Sequence, residues 1–227
     1  MKVWKRSLPV WLLTLVMLLT ACGTPSQPDQ PDGTETWREA YEETGAYLQA
    51  QTAPTAGSIG GEWAVIGLSR AGLLSDETAQ SYEQTVEDYV KQAGSVRLHH
   101  AKSTENSRTI LGLTAAGYNA ANVAGVDLTA GLTDMAYLRA QGTNGPIWAL
   151  IALDCHGYDI PQCADGEEQT TREGLVAEIL SYQCSDGGWA LMGDESDVDM
   201  TAMALTSLAP YQEETDVKAA VDAALTY

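Results

Sequence analysis

The sequence predicts an all-α domain that is built from repeated helix pairs. Four apolar segments of helical spacing share one layout: "GEWAVIGLSRAGL", "SRTILGLTAAGY", "IWALIALDCHGY" and "DMTAMALTSLAPY". Their anchor leucines, about 40 to 50 residues apart, are Leu68, Leu113, Leu153 and Leu205. A period of this size is typical of arrayed helix pairs. After Thr36 no segment shows the apolar and polar alternation of a β-strand.

The predicted helices are of two kinds. The anchor helices are apolar nearly all round, which predicts burial on every side. The helices between them, within 80–94 and 171–182, carry only one apolar stripe. This alternation predicts inner helices around a centre and outer helices that face water. The simplest closure is an α/α toroid, although an open α-solenoid satisfies the same pattern.

The helical pattern at the end of the sequence predicts that the toroid is incomplete in this chain. The sequence ends inside "DVKAAVDAALTY", a helical pattern without a C-terminal glycine cap. A fragment of a longer reading frame and an open barrel both satisfy this observation, and we favour the fragment.

The N-terminus has the pattern of an export signal. Basic residues are followed by the short apolar run 8–21, and the run ends in "LTAC", which resembles a bacterial lipobox. The resemblance implies cleavage after residue 21 and a lipid on Cys22, whereas the alternative is an ordinary secretory signal. We therefore expect the signal peptide at 1–21 and the protein on the extracytoplasmic face of a bacterial membrane.

From Cys22 onward, the sequence predicts a flexible tether followed by one folded domain. Residues 22–35 are rich in Pro, Gln, Gly and Asp and offer nothing to a core, so the folded domain is predicted at 36–227. The chain has 12 basic and 31 acidic residues and a net charge of −19. This charge argues against nucleic acid as a partner. The bilayer is expected as a partner through the acylated Cys22 alone.

The stretch 183–202 carries a family resemblance. "Q-x3-G-G-W", from Gln183 to Trp189, is followed by "D-x-D-x-T-A" from Asp197. This resembles the repeat of squalene and terpene cyclases and of protein prenyltransferase β-subunits, and more loosely the transcobalamin-like toroid proteins. The resemblance covers roughly 60–227. It implies an α/α toroid, and it places Trp189 where one helix pair meets the next.

In class II terpene cyclases the corresponding motif supplies a proton. The resemblance therefore makes Asp199 the candidate catalytic acid, with Asp197 beside it, although Met200 replaces the last aspartate of the family motif. The alternative is that one of these aspartates is the N-cap of a helix at 198–211. We expect the helix start.

The cysteine pattern offers a disulfide or a metal site. The segment "DCHGYDIPQCAD" could bind zinc, but outside the cytoplasm a disulfide between Cys155 and Cys163 is the prediction, with Cys184 as a buried thiol. The zinc ligands of prenyltransferases are not reproduced, because no histidine follows His156. Neither a metal nor a cofactor is predicted.

The repeat itself predicts a ligand site. Six places before each anchor leucine the sequence has Glu62, Ser107, Ile147 and Asp199, and the next residues are Trp63, Arg108, Trp148 and Met200. Parallel inner helices would place these residues around one mouth, which makes Glu62, Trp63, Arg108 and Trp148 the candidate ligand-binding residues. The ligand would be a hydrophobic small molecule or, by the transcobalamin resemblance, a corrinoid. Alternatively, both tryptophans belong to the core and Arg108 pairs with a carboxylate.

These observations predict an exported lipoprotein whose toroid is a ligand-binding or scaffold module. The alternative function is a class II terpene cyclase or a prenyltransferase-like enzyme. The missing last aspartate of the motif favours the binding module.

Overall fold

A computed structural model describes residues 33–51 and 54–227. The predicted signal at 1–21 and Cys22 lie outside the described residues. The chain divides into two compact units, Met1–Thr44 and Gly45–Tyr227. The predicted all-α class is confirmed, because the chain is mostly helical and its described residues form only isolated β-bridges.

The described helices follow one another along the chain, and the longest connections between them are 116–134, 155–171 and 182–197. Their bounds are α1 Gly33–Gln49, α2 Ile59–Arg70, α3 Asp76–Ala93, α4 Thr104–Ala115, α5 Met135–Arg139, α6 Asn144–Asp154, α7 Arg172–Ser181, α8 Val198–Leu208 and α9 Thr215–Ala224. Two 3-10 turns, Leu128–Leu132 and Ala209–Tyr211, complete the described elements. Helix α1 begins inside the segment predicted as the tether.

The even-numbered helices form a series in which each helix packs against the next even-numbered one. Helix α2 contacts α4, α4 contacts α6, and α6 contacts α8. Helix α6 is the most apolar of these, and Ile147, Leu150 and Leu153 are fully buried in it. Helix α3 buries only one stripe, from Ala79 to Val90, as its amphipathic pattern predicts. The predicted burial on every side holds for α4 and α6, in which no residue is exposed, and is wrong for α2 and α8, which leave Trp63 and Ala202 exposed. Helices α2 and α8 are the two ends of this series, so each has a neighbour from the series on one side only.

Three of the four anchor leucines stand at equivalent places. The carbonyls of Leu68, Leu113 and Leu153 each accept the N–H of the residue five places on, at 2.8 to 2.9 Å. A left-handed glycine precedes each donor; Gly117, for example, has φ +88°. This is the Schellman ending of a helix, and glycine adopts its left-handed φ without the strain that a Cβ would add.

The predicted register of the fourth repeat is wrong by two residues. Counted from the helix N-caps, the place of the other anchors belongs to Ser207, which is buried, whereas Leu205 is only half-buried. By the same count Thr201, and not Asp199, corresponds to Glu62. The serine can occupy a leucine position because its hydroxyl donates to the Ala204 carbonyl at 2.8 Å.

The predicted burial of Trp189 is confirmed. The indole is fully buried, its Nε1 donates to the Ile179 carbonyl at 2.8 Å, and its backbone N–H donates to Thr201 Oγ1 at 2.9 Å. Trp189 thereby connects α7 to α8. Gln183 opens the same turn, and its amide donates to the Gly187 carbonyl at 2.7 Å and to the Ala220 carbonyl at 2.8 Å.

Candidate functional site

The starts of α2, α4 and α6 bring the four predicted ligand-binding residues together in two pairs. Trp63, Arg108 and Trp148 are each the fifth residue after a helix N-cap, and Glu62 immediately precedes Trp63. Glu62 contacts Arg108, and Trp63 contacts Trp148. Because residues at the same place after the N-cap meet in this way, α2 and α6 begin at the same end of the array.

Arg108 is held by two carboxylates. Its Nε donates to Glu62 Oε2 at 3.1 Å, and its Nη2 donates to Glu105 Oε2 at 2.7 Å. The Arg108 side chain is only 12% exposed and that of Glu62 is fully buried. The other Glu62 oxygen accepts the Gly57 N–H at 2.7 Å. These charge-assisted bonds fix the guanidinium in one position.

The alternative that Arg108 pairs with a carboxylate is therefore what the structure contains. Sequence reasoning missed Glu105, although it lies three residues before Arg108 on the same helix. Acidic and basic residues at that spacing are helix-surface neighbours, so the signal was present in the sequence.

Burial dominates the electrostatics of this cluster. The pKa of Glu62 is raised, because burial disfavours its charge more than the bonds from Gly57 and Arg108 favour it. Burial likewise raises the pKa of Tyr82, and the nearby Glu62 charge adds to the effect. The Tyr82 hydroxyl is itself buried and finds no hydrogen-bond partner among the described residues. The cluster thus consists of the Arg108 cation, the acids Glu62 and Glu105, and the unsatisfied hydroxyl of Tyr82.

The tryptophan pair is open to solvent. The Trp63 and Trp148 ring centroids are 5.4 Å apart with an interplanar angle of 61°, which is an edge contact. Trp63 is 40% exposed and Trp148 is half-buried, so neither is a core residue. On α2, Gly60 and Gly67 lie one turn to either side of Trp63, and a Cβ at either would meet nothing within 4 Å. The surface beside the Trp63 indole is therefore uncrowded.

The rest of the predicted ring has other roles. Ser107 and Ile147 are buried in the packing between helices. Asp199 lies in the first turn of α8 and is exposed, whereas Thr201 holds the place equivalent to Glu62. The predicted ligand-binding residues that meet at this end of the array therefore come from α2, α4 and α6.

The expected helix start is confirmed, and of the two candidate aspartates Asp197 is the one that caps the helix. Asp197 is the N-cap of α8, and its Oδ1 accepts the Met200 N–H at 2.8 Å. Both Asp197 and Asp199 are exposed to solvent. An acid strong enough to protonate an alkene needs a dry site and crowded carboxylates, and this exposed helix start provides neither.

The predicted disulfide is not formed. Cys155 and Cys163 are both free, and so is the buried Cys184. Cys155 Sγ donates to the Ala152 carbonyl at 3.1 Å, and Cys163 Sγ is 3.6 Å from the Glu167 carbonyl. The two thiols are thus directed to separate backbone carbonyls.

Within residues 33–51 and 54–227, no group of three His, Cys, Asp or Glu side chains is arranged to hold a metal ion. The helices of these two ranges include none with the length and apolar character of a membrane span. Comparison of the chain with protein-family models, with curated proteins and with solved structures finds no match.

Proposed function

We propose that this chain is the ligand-binding module of an exported, lipid-anchored protein, and that its helix pairs form an arc of an α/α toroid. The ligand is a small molecule with an apolar part, which lies against Trp63 and Trp148. The serial contacts among α2, α4, α6 and α8 support the arc. The lipobox resemblance at Cys22 supports the anchor.

The observation that carries this proposal is the contact between Trp63, which is 40% exposed, and the half-buried Trp148. Exposure of a large indole forgoes the free energy of its burial, roughly 25 cal/mol for each Å² of apolar surface. Trp63 and Trp148 nevertheless touch each other at the end of the array. Glu62, which directly precedes Trp63, is buried and holds Arg108 in place, and the 12% exposed Arg108 side chain is thus a fixed polar group. Aromatic surface next to a few fixed polar groups is the usual composition of a small-molecule site.

The test is a titration observed through the indole N–H resonances of the full chain in a maltoside detergent. The probes are the alcohol 3,3-dimethyl-1-butanol, its cationic analogue choline, its anionic analogue 3,3-dimethylbutyrate, and cobinamide as a corrinoid. We expect at least one probe to shift the signals of Trp63 and Trp148 together. Single tryptophan substitutions assign the signals.

Trp189 is the internal control, because its buried Nε1 is already bonded to the Ile179 carbonyl. Its signal should stay in place while the other two move, and Trp63→Leu should abolish the response of Trp148. If no probe moves Trp63 or Trp148 at concentrations up to about 10 mM, a range that detects even weak binding, the ligand-binding proposal fails.

The proposed anchor has a separate test. Replacement of Cys22 by Ala should abolish fatty-acid labelling and release or mislocalise the protein, because an anionic bilayer repels the acidic part of the chain that follows Cys22. Cys184→Ala is the matched control and should stay labelled. Full labelling of the Cys22→Ala protein would contradict the lipobox interpretation.

A further inference from the structure

We infer that the ligand of the Trp63–Trp148 surface is a small cation with an alkylated ammonium group. This inference rests on the proposed function and narrows it to one class of ligand. It is drawn from the orientation of the two indoles, the local balance of charge and the engagement of Arg108.

The two indoles are in edge contact and do not stack, with 61° between their planes and 5.4 Å between centroids. Trp63 is 40% exposed, so part of its indole surface is open to a ligand. An ammonium group binds to indole faces because the ring quadrupole is negative there, and alkylated ammonium ions combine this attraction with an apolar surface. Arg108 does not take this place, since the cation–π contacts of the described residues are those of Arg38 with Trp37 and Arg97 with Tyr137.

The local charge also favours a cation. Two carboxylates, Glu62 and Glu105, pair with the single guanidinium of Arg108, and Glu62 directly precedes Trp63 in α2. The chain as a whole has a net charge of −19. Distant charges are screened beyond about 8 Å at physiological salt, so the acidic excess of the nearby cluster matters most for binding. The net charge of the chain steers cations toward the surface.

Arg108 is already paired with two carboxylates. Its Nε and Nη2 are engaged by Glu62 and Glu105 at 3.1 and 2.7 Å. An anionic ligand that approached Arg108 would lie close to both of these carboxylates, and like charges repel. A cation leaves both bonds intact, so the observed ion pairs are compatible with cation binding and oppose anion binding.

The test compares choline with 3,3-dimethyl-1-butanol, in which carbon replaces the charged nitrogen, on the full chain in a maltoside detergent. The shifts of the Trp63 and Trp148 indole signals give the two dissociation constants. We expect choline to bind at least about tenfold more tightly than the alcohol, the upper part of the range for cation–π binding. Added salt should weaken choline binding and leave alcohol binding unchanged.

Glu105→Gln removes the local acidic excess and keeps both tryptophans. It should weaken choline binding about threefold or more without affecting the alcohol, in keeping with one lost charge near the surface. Glu173→Gln is the matched control, because Glu173 is exposed on α7. It should change neither constant.

Each other outcome has a definite meaning. Equal binding of choline and the alcohol, or binding of only the alcohol, 3,3-dimethylbutyrate or cobinamide, would overturn the cation inference and leave the ligand site standing. Absence of any response at Trp63 and Trp148 to all four probes would overturn the inference and the proposed function together. Choline binding that persists at full strength in Trp63→Leu would place the cation elsewhere and overturn the inference.

Discussion

Trp189 and the pair formed by Trp63 and Trp148 follow similar glycine-containing turns in the sequence, yet their environments are opposite. Trp189 is fully buried, and Trp63 is 40% exposed. The tryptophans differ in their position relative to the start of the nearest helix. Trp63 and Trp148 lie inside their helices at the fifth place after the N-cap, whereas Trp189 lies in the turn ahead of the N-cap Asp197. The distance to the helix start decides whether the indole packs between helices or faces solvent.

The largest expected effect is at the buried tryptophan. Trp189→Ala should lower the free energy of unfolding by roughly 3 to 5 kcal/mol, because it leaves a large cavity and an unpaired Ile179 carbonyl. Trp63→Ala, the matched control, should cost less than about 1 kcal/mol because the side chain is partly in water already. Denaturant unfolding measures both values. Similar costs for the two variants would mean that the two environments are not energetically distinct.

The next largest change in stability is expected at the ion pair between Arg108 and Glu62. Arg108→Met should cost about 3 kcal/mol at pH 7, because Glu62 then stays buried without its charged partner. Denaturant unfolding of the single and double variants measures this cost. Adding Glu62→Gln should recover most of the loss, since a neutral amide needs no counter-charge. A double variant as unstable as the single one would show that the loss comes from packing of the Arg108 stem.

The same variant has a pH dependence of defined sign. Burial raises the pKa of Glu62 in the folded state, and loss of the Arg108 charge raises it further. A raised folded pKa favours the folded state where the group is protonated, and that stability is lost as the pH rises through the folded pKa. The cost of Arg108→Met should therefore be smallest below pH 4.5, the ordinary pKa for Glu62, and should grow as the pH rises through the raised folded-state pKa.

The smallest changes in stability are expected at Asp197, the N-cap of α8, and at Asp199 in its first turn. Asp197→Ala should cost about 0.5 to 2 kcal/mol and Asp197→Asn almost nothing, because both Asp and Asn accept the Met200 N–H. Asp199→Ala should cost less than Asp197→Ala, since Asp199 contributes only its charge to the first turn. Thermal melting ranks the variants. Turnover of squalene or a prenyl diphosphate that vanishes in Asp199→Asn would instead support the cyclase alternative.

The parts of the fold that depend on local pattern could be predicted from the sequence. The all-α class, the N-cap at Asp197 and the burial of Trp189 each follow from spacing or side-chain chemistry and are confirmed. The register of α8 could not be predicted in the same way. Leu205 matches the other anchors by residue type, but Ser207 is buried because a nearby carbonyl accepts its hydroxyl.

The candidate site shows the same division. Glu62, Arg108, Trp63 and Trp148 could be selected by their shared place in the repeat, and the structure brings them into two pairs. Tyr82 could not be selected, because it lies on α3 and comes near Glu62 only through tertiary packing. The thiols of Cys155 and Cys163 are close in sequence, but the carbonyls that each one contacts depend on the folded chain.

Gln141, which precedes α6, affects how the helices of the array unfold locally. The N-cap Ser103 does not cap α4 with its own side chain; instead Gln141 Oε1 accepts the Thr104 N–H at 2.9 Å and the Ser103 hydroxyl at 3.1 Å. Thr143, the N-cap of α6, similarly donates to the Ala190 carbonyl of the following repeat at 2.9 Å. The start of one helix is thus secured by the repeat that comes after it. Hydrogen exchange at the Thr104 amide would consequently report the opening of the segment around Gln141, so that fraying passes backward along the chain from each repeat to its predecessor.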